Sequence, residues 1–173
     1  MIDLETLGTA QDTVVLSLGA VKFDPFNNLD PTHALYIKPD VDEQTATLNR
    51  TVDDDTLRWW NSQPESIRDE ALSEDDRISC SDFIKQINRW CVGVDMLWCQ
   101  GPLFDYAILE HFYRDMEQPC PWHYWQIRDS RTLFALMPKD PRKDIQQELH
   151  NALADAYFQA QCVQKTYKHF GVT

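Results

Sequence analysis

Four acidic residues and one histidine, spread over most of the 173-residue chain, have the types and spacing needed to hold a divalent cation and move a proton. They are Asp3, Glu5, Asp105, His150 and Asp155. Asp3 and Glu5 are two positions apart, so in a strand their side chains share one face, with Cα atoms about 7 Å apart. Carboxylates that close repel each other unless a cation lies between them, which favours a Mg²⁺ or Mn²⁺ site. The alternative is the solvated edge of a strand.

Asp105 follows a short apolar run and the turn Gly101-Pro102. This pattern predicts a strand over residues 95–99, then a helix that has Asp105 in its first turn. Ligands gather at the carboxyl ends of strands in open α/β sheets, so Asp105 is a candidate site residue. The alternative is an acid placed there only because it interacts favourably with the helix dipole.

The third feature is the run His150-Asn151-Ala152-Leu153-Ala154-Asp155-Ala156, at the start of a helix predicted from about residue 151 to 170. Its apolar stripe comprises Leu153, Ala156, Tyr157, Ala160, Val163, Tyr167 and Phe170. Asp155 lies about 130° from the centre of that stripe, so it faces away from the core or across a cleft. His150 can share a site with Asp155 only if it lies in the loop before the helix, which we expect. Otherwise the two are an ordinary loop residue and an exposed acid.

The elements that must position these residues predict a single α/β domain over residues 1–173 with a mixed sheet flanked by helices. The residues before Leu7, residues 12–23 (bent at Gly19) and residues 33–38 read as an antiparallel meander. Another strand is predicted at 125–129. Asp53 and Ser79 are expected to cap helices, the first of them stopped by Pro64.

The composition limits the classes of protein that fit. The net charge of −12, from 16 basic and 28 acidic residues, disfavours a long nucleic-acid footprint, because such binding depends on phosphate neutralisation. It is compatible with an enzyme that holds a strand end through bound metal. Five cysteines without paired spacing disfavour disulfides and structural zinc, which predicts a cytoplasmic protein. No signal peptide or membrane-spanning run is recognised.

The order and spacing of the acidic residues resemble those of the DnaQ-like 3′–5′ exonucleases of the DEDDh subclass. Asp3 and Glu5, followed by Thr6, match the first motif, Phe104-Asp105 the second, and residues 150–156 the third. The resemblance spans residues 3 to 156. The segments Trp59-Trp60-Asn61-Ser62-Gln63 and Arg128-Asp129-Ser130-Arg131-Thr132-Leu133 are similar to motifs of small stand-alone phage and bacterial exonucleases. One departure is that only two residues precede Asp3, so the first strand is unusually short or the native chain starts upstream.

The resemblance implies an RNase H-like fold and hydrolysis of phosphodiester bonds at the 3′ end of a nucleic acid. Two Mg²⁺ or Mn²⁺ ions would be held by Asp3, Glu5, Asp105 and Asp155. His150 would be the general base, because an imidazole accepts protons readily near neutral pH. Zinc is disfavoured by an oxygen-rich donor set. The terminal nucleotide would contact Thr6, Leu7 and Phe104.

Several alternatives stay open at this stage. Phe104 is equally well explained as a core residue, Arg128 and Arg131 as solvated residues, and the tryptophans as core residues rather than stacking platforms. The chain could be an acidic binding or decoy protein that lacks catalysis, or an RNase H-like endonuclease. Neither alternative explains a histidine five residues before Asp155. RNA and DNA are not distinguished, and a homodimer is permitted but not required.

Overall fold

The computed structural model describes residues 1–144 and 150–172 and contains a four-stranded mixed sheet. Its strands are β1 (Ile2–Thr6), β2 (Val15–Lys22), β3 (Thr32–Pro39) and β4 (Arg77–Ile78), adjacent in that order. The first three pair antiparallel and β4 pairs parallel with β3. The meander predicted from the sequence is thereby confirmed. Strands β5 (Leu97–Cys99) and β6 (Ile127–Asp129) pair parallel with each other, and β5 lies beside β1.

Helices cover both faces of the sheet. They are α1 (Val41–Ala46), α2 (Asp54–Asn61), α3 (Glu65–Leu72), α4 (Cys80–Trp90), α5 (Asp105–Asp115), α6 (Ser130–Phe134) and α7 (Ala152–His169). The predicted caps are confirmed, because Asp53 accepts a hydrogen bond from the Thr56 N–H and Ser79 accepts one from the Asp82 N–H. In the described part of the chain, no helix combines the length and apolar character needed to cross a membrane.

Successive side chains of β1 point into two different hydrophobic cores on opposite faces of the sheet. Ile2 and Leu4 belong to the main core, together with Phe83 of α4 and Phe112 of α5. Met1 belongs to a second core built against α7, in which Ala156 and Val163 are also fully buried. Because alternate residues of a strand point to opposite faces, Asp3 and Glu5 lie on the α7 face of the sheet.

The pairing of β2 is regular at Gly19, where the sequence predicted a bend: Gly19 pairs with Asp3 on one side and Tyr36 on the other. The irregular pairings lie on either side of it, opposite Glu5 and Thr6 and between Ala20 and Lys22. A Cβ on Gly19 would lie 2.1 Å from the backbone carbon of Ala152. Its lack of a side chain therefore lets the first turn of α7 rest directly on the sheet.

Other elements differ from the sequence prediction at their boundaries. Pro64 does not merely stop a helix: α2 ends at Asn61, and Pro64 stands at the start of α3. Residues 125–129 begin in a short 3₁₀ turn, Tyr124–Gln126, and only then become strand. Phe170 lies past the end of α7 and is exposed, so it does not extend the buried stripe. Helices α1, α3 and α6 and the two-residue strand β4 were not predicted.

Candidate active site

The first strand and the last helix bring three carboxylates together. Asp3 and Glu5 project from β1, and Asp155 projects from the first turn of α7. One oxygen from each of the three lies within 4.8 Å of those of the other two. Residues about 150 positions apart in the chain therefore form one acidic cluster. The contact of α7 with Gly19 helps to explain this closeness, because Gly19 is paired with Asp3 in the sheet.

Asp105 adds a fourth carboxylate next to the cluster. It is the first residue of α5, directly after the turn that follows β5, and is only 4% exposed. Burial raises its pKa to about 7, although hydrogen bonds involving the Cys99 side chain and the Leu4 backbone, and the positive charge of Arg131, act in the opposite direction. Helix α5 packs against β1, which places the start of α5 next to the two acids of that strand.

Burial and mutual repulsion raise the pKa values of the carboxyl groups in the cluster. The pKa of Asp3 is raised well above its ordinary range by burial first, and then by the charges of Asp105, Glu5 and Asp155. The pKa of Glu5 is raised to about 8, again chiefly by burial and then by Asp155, Asp105 and Glu70. A bound cation would relieve both the repulsion and the cost of burial. The oxygen-only donor set matches the ligand preference of Mg²⁺ or Mn²⁺, so the residues fit such an ion.

His150 lies in the segment before α7, as predicted from the sequence. Its backbone N–H donates a hydrogen bond to Asp155 Oδ2 over 3.0 Å. Its φ of 71° is in the left-handed region, and Asn151 caps the helix that follows. The imidazole packs edge-on against the indole of Trp59, with ring centroids 4.8 Å apart. The backbone N–H of His150 thus orients the Asp155 carboxylate, while the indole of Trp59 restrains the imidazole ring of His150.

Two of the three residues predicted to contact substrate, Thr6 and Leu7, lie at the end of β1. The Thr6 hydroxyl donates to the Gly8 carbonyl, and the Thr6 carbonyl accepts from Trp60 Nε1. Leu7 is buried, and its N–H and C=O bond to Val14 and Asp53. Phe104 is partly buried and packs against the main core immediately before α5. Contact of Thr6, Leu7 and Phe104 with a nucleotide stays a prediction.

Two side chains near the cluster were missed by the sequence analysis. Gln159 donates a hydrogen bond to Asp3 Oδ1 over 2.8 Å. Its position one helical turn after Asp155 was the available signal, because residues four apart share a helix face. Trp59 was grouped with the core tryptophans. Trp60 and Trp122 are indeed buried, but Trp59 is 40% exposed, and Trp125 is exposed as well.

A second group of polar side chains lies beside Glu5. The Tyr36 hydroxyl donates to the Glu70 carboxylate, at 2.7 and 2.8 Å from its two oxygens. Burial and this contact with Glu70 raise the pKa of Tyr36. Glu70 in turn contributes to the raised pKa of Glu5. The acidic region therefore extends from β1 towards α3.

The mixed sheet, the flanking helices and the acidic cluster across β1, α5 and α7 define an RNase H-like fold of the kind found in DnaQ-like 3′–5′ exonucleases. The chain belongs to the family described as the 3′–5′ exoribonuclease Rv2179c-like domain, whose family model matches residues 1–167. It is also similar to an exodeoxyribonuclease of Enterobacteria phage T4, with 27% identity over 157 residues, covering 76% of this chain and 68% of the relative. The chain is thus a 3′–5′ exonuclease that acts on nucleic acid.

Proposed function

We propose that this exonuclease depends on two divalent ions, Mg²⁺ or Mn²⁺, held by a carboxylate set that the family assignment alone does not specify. The proposed ligands are Asp3, Glu5, Asp105 and Asp155. The observation that supports this most strongly is the convergence of the Asp3, Glu5 and Asp155 oxygens to within 4.8 Å. Such a group of carboxylates is costly to bury without a cation. We further propose that residues 1–173 act as one exonuclease domain.

Bound divalent ions would supply activation of the attacking water and stabilisation of the departing 3′ oxygen. The chain's own residues would hold and orient the reacting groups. Asp3, Glu5 and Asp155 would present oxygens from two rigid elements. Asp105 would contribute its carboxylate from the buried start of α5, which packs against β1.

His150 is the proposed general base. A phosphorus–oxygen bond to the water oxygen forms as the bond to the 3′ oxygen of the preceding nucleotide breaks, and an imidazole nitrogen of His150 takes the water proton. The departing 3′ oxygen takes a proton from solvent and becomes the 3′ hydroxyl of the shortened strand. The backbone bond from His150 to Asp155 supports this role, because it places the base next to a metal ligand. The Trp59 ring limits the positions that the imidazole can adopt. One phosphodiester bond is cleaved per cycle, and a nucleoside 5′-monophosphate is released.

The proposed substrate is the 3′ end of a single-stranded nucleic acid. Phe104 lies directly before Asp105, and its ring would stack on the terminal base, which gives binding without sequence preference. The matching family is described as exoribonucleases and the phage T4 relative as an exodeoxyribonuclease, so both RNA and DNA have to be tested as substrates.

The five cysteine thiols are all free, which supports the proposal of a reducing, cytoplasmic setting. They are Cys80, Cys91, Cys99, Cys120 and Cys162.

The decisive experiment is digestion of 5′-labelled RNA and DNA oligonucleotides beside a circular single strand of the same composition. With Mg²⁺ or Mn²⁺ we expect a ladder that shortens from the 3′ end, an intact circle, and no cleavage by Asp3→Ala or in the presence of a chelator. Cleavage of the circle would favour an endonuclease. Binding of the oligonucleotides without cleavage, under every metal condition, would favour the acidic binding protein.

A further inference from the structure

Gln159 is the buried polar residue most directly connected to the acidic cluster. It lies on α7 one turn after Asp155 and is only 5% exposed. Its Nε2 donates to Asp3 Oδ1 over 2.8 Å. Helix α7 therefore reaches the cluster twice, first with the Asp155 carboxylate and then with an uncharged donor to the carboxylate of β1.

The Gln159 carboxamide has only one acceptable orientation beside an ionised Asp3, the form that a cation requires. The reverse orientation would put Oε1 against a carboxylate oxygen, so that two acceptors would face each other. In the orientation observed, Oε1 is buried and has no hydrogen-bond partner within the described ranges. Carboxamide bonds of about 1.2 and 1.3 Å place this oxygen within roughly 5.5 Å of Asp3 Oδ1. A buried acceptor without a donor is unfavourable, so the residue is poorly explained by packing alone.

We propose that Gln159 is a positioning residue for the exonuclease reaction, which fixes the Asp3 carboxylate in a single orientation before a cation binds. This inference rests on the proposed role of Asp3 as a metal ligand. The amide engages Oδ1 and restrains rotation of the carboxylate, so that both Asp3 oxygens have defined directions relative to Glu5 and Asp155. Because the amide carries no charge, it orders Asp3 without neutralising the negative charge that Asp3 carries when it is ionised. Hydrogen-bond partners of metal ligands act in this way in many metal sites.

The chain offers a matched control on the same helix. Gln164 is also 5% exposed, and its Nε2 donates to the backbone carbonyls of Asp24 and Leu29 over 3.0 and 2.9 Å. Gln164→Met removes buried amide hydrogen bonds of the same kind without touching a carboxylate of the cluster. Gln159→Met differs from it in the partner that is lost. A purely structural role of Gln159 predicts the same behaviour for both variants.

The test is calorimetric titration of the metal-free protein with Mn²⁺, together with the Mn²⁺ concentration that gives half-maximal hydrolysis. We expect Gln159→Met to raise the Mn²⁺ dissociation constant about 10- to 100-fold. Saturating Mn²⁺ should restore most of the turnover. Gln164→Met should bind Mn²⁺ like the wild type. Gln159→Asn, which keeps the amide but withdraws it from Asp3, should shift Mn²⁺ binding as Gln159→Met does and serves if the latter variant does not fold.

The results separate this inference from the proposed function. Equal Mn²⁺ affinity in wild type, Gln159→Met and Gln159→Asn would overturn the role of Gln159 and leave the metal site intact. So would equal losses of affinity in Gln159→Met and Gln164→Met. Wild-type Mn²⁺ affinity in Asp3→Asn would instead overturn the proposed role of Asp3, and with it both proposals.

Discussion

Replacement of Gly19 by alanine tests whether the close contact between the sheet and α7 is what assembles the acidic cluster. The added Cβ would lie 2.1 Å from the Ala152 carbon and 2.2 Å from the Ala152 oxygen and the Leu153 nitrogen. Ordinary contact begins at about 3.4 Å, so the first turn of α7 has to retreat by 3.4 − 2.1 = 1.3 Å. The atoms involved belong to the backbone, so a change of side-chain rotamer cannot relieve the clash.

Displacement of the first turn of α7 in Gly19→Ala should lower both the stability of the fold and the rate of hydrolysis. Overpacking of an interior typically lowers the free energy of unfolding by about 1–3 kcal/mol. Asp155 is only three residues after Ala152, so it would move away from Asp3 and Glu5 by a similar distance. A displacement of about 1 Å at reacting groups can cost on the order of a hundredfold in rate. Denaturant unfolding and initial rates of oligonucleotide hydrolysis measure the two effects.

Gly93→Ala provides the comparison. Gly93 has a φ of 75°, and nothing lies within 4 Å of an added Cβ, so the substitution strains the backbone without a clash. We expect a loss of about 1–2 kcal/mol in the free energy of unfolding, with a rate close to that of the wild type. Wild-type activity and wild-type unfolding in Gly19→Ala would refute the reasoning, because α7 would then not depend on the missing side chain.

Three further predictions concern the base, its neighbour and the cluster's protons. His150→Ala should lower turnover at least about a hundredfold and leave Mn²⁺ binding, measured by calorimetry, nearly unchanged; wild-type turnover would exclude His150 as the base. Trp59→Leu should lower turnover about 2- to 10-fold through loss of a ring contact worth about 0.5–1.5 kcal/mol, whereas Trp125→Leu should not; equal rates in both would contradict the role of Trp59. Because the folded-state pKa of Glu5 is about 8 instead of 4.5, metal-free protein should lose stability as the pH rises from about 5 to 8. Mn²⁺ should therefore raise the melting temperature more at pH 8 than at pH 5.5, and a larger rise at the lower pH would contradict this assignment.

Features that depend on local sequence could be predicted before the structure. Strand alternation placed Asp3 and Glu5 on one face, and side-chain capping by Asp53 and Ser79 marked the starts of two helices. The angle between positions 150 and 155 in a helix showed that His150 had to lie before α7, where the structure places it. In each case the physical determinant lies within a few residues of the position concerned.

Features that depend on contacts between distant segments could not be predicted in this way. The function of Gly19 depends on which helix crosses β2, and the partner of Gln159 lies 156 positions away in the chain. Trp59 and Trp60 are adjacent and chemically identical, so only packing decides which one is buried. Strand β4 has two residues and α1 has six, too few for a periodic pattern to be recognised.

Acidic and apolar side chains alternate along β1, so the active site can form only if β1 pairs with β2 in the correct register. A slip of one residue against β2 would turn Asp3 and Glu5 towards the phenylalanines of α4 and α5, and would expose Ile2 and Leu4 beneath α7. Ionised carboxylates among aromatic rings are so unfavourable that a chain paired in this way could not form a stable core. The pairing that forms a stable core is therefore the same pairing that places Asp3 and Glu5 on the side where Asp155 can join them.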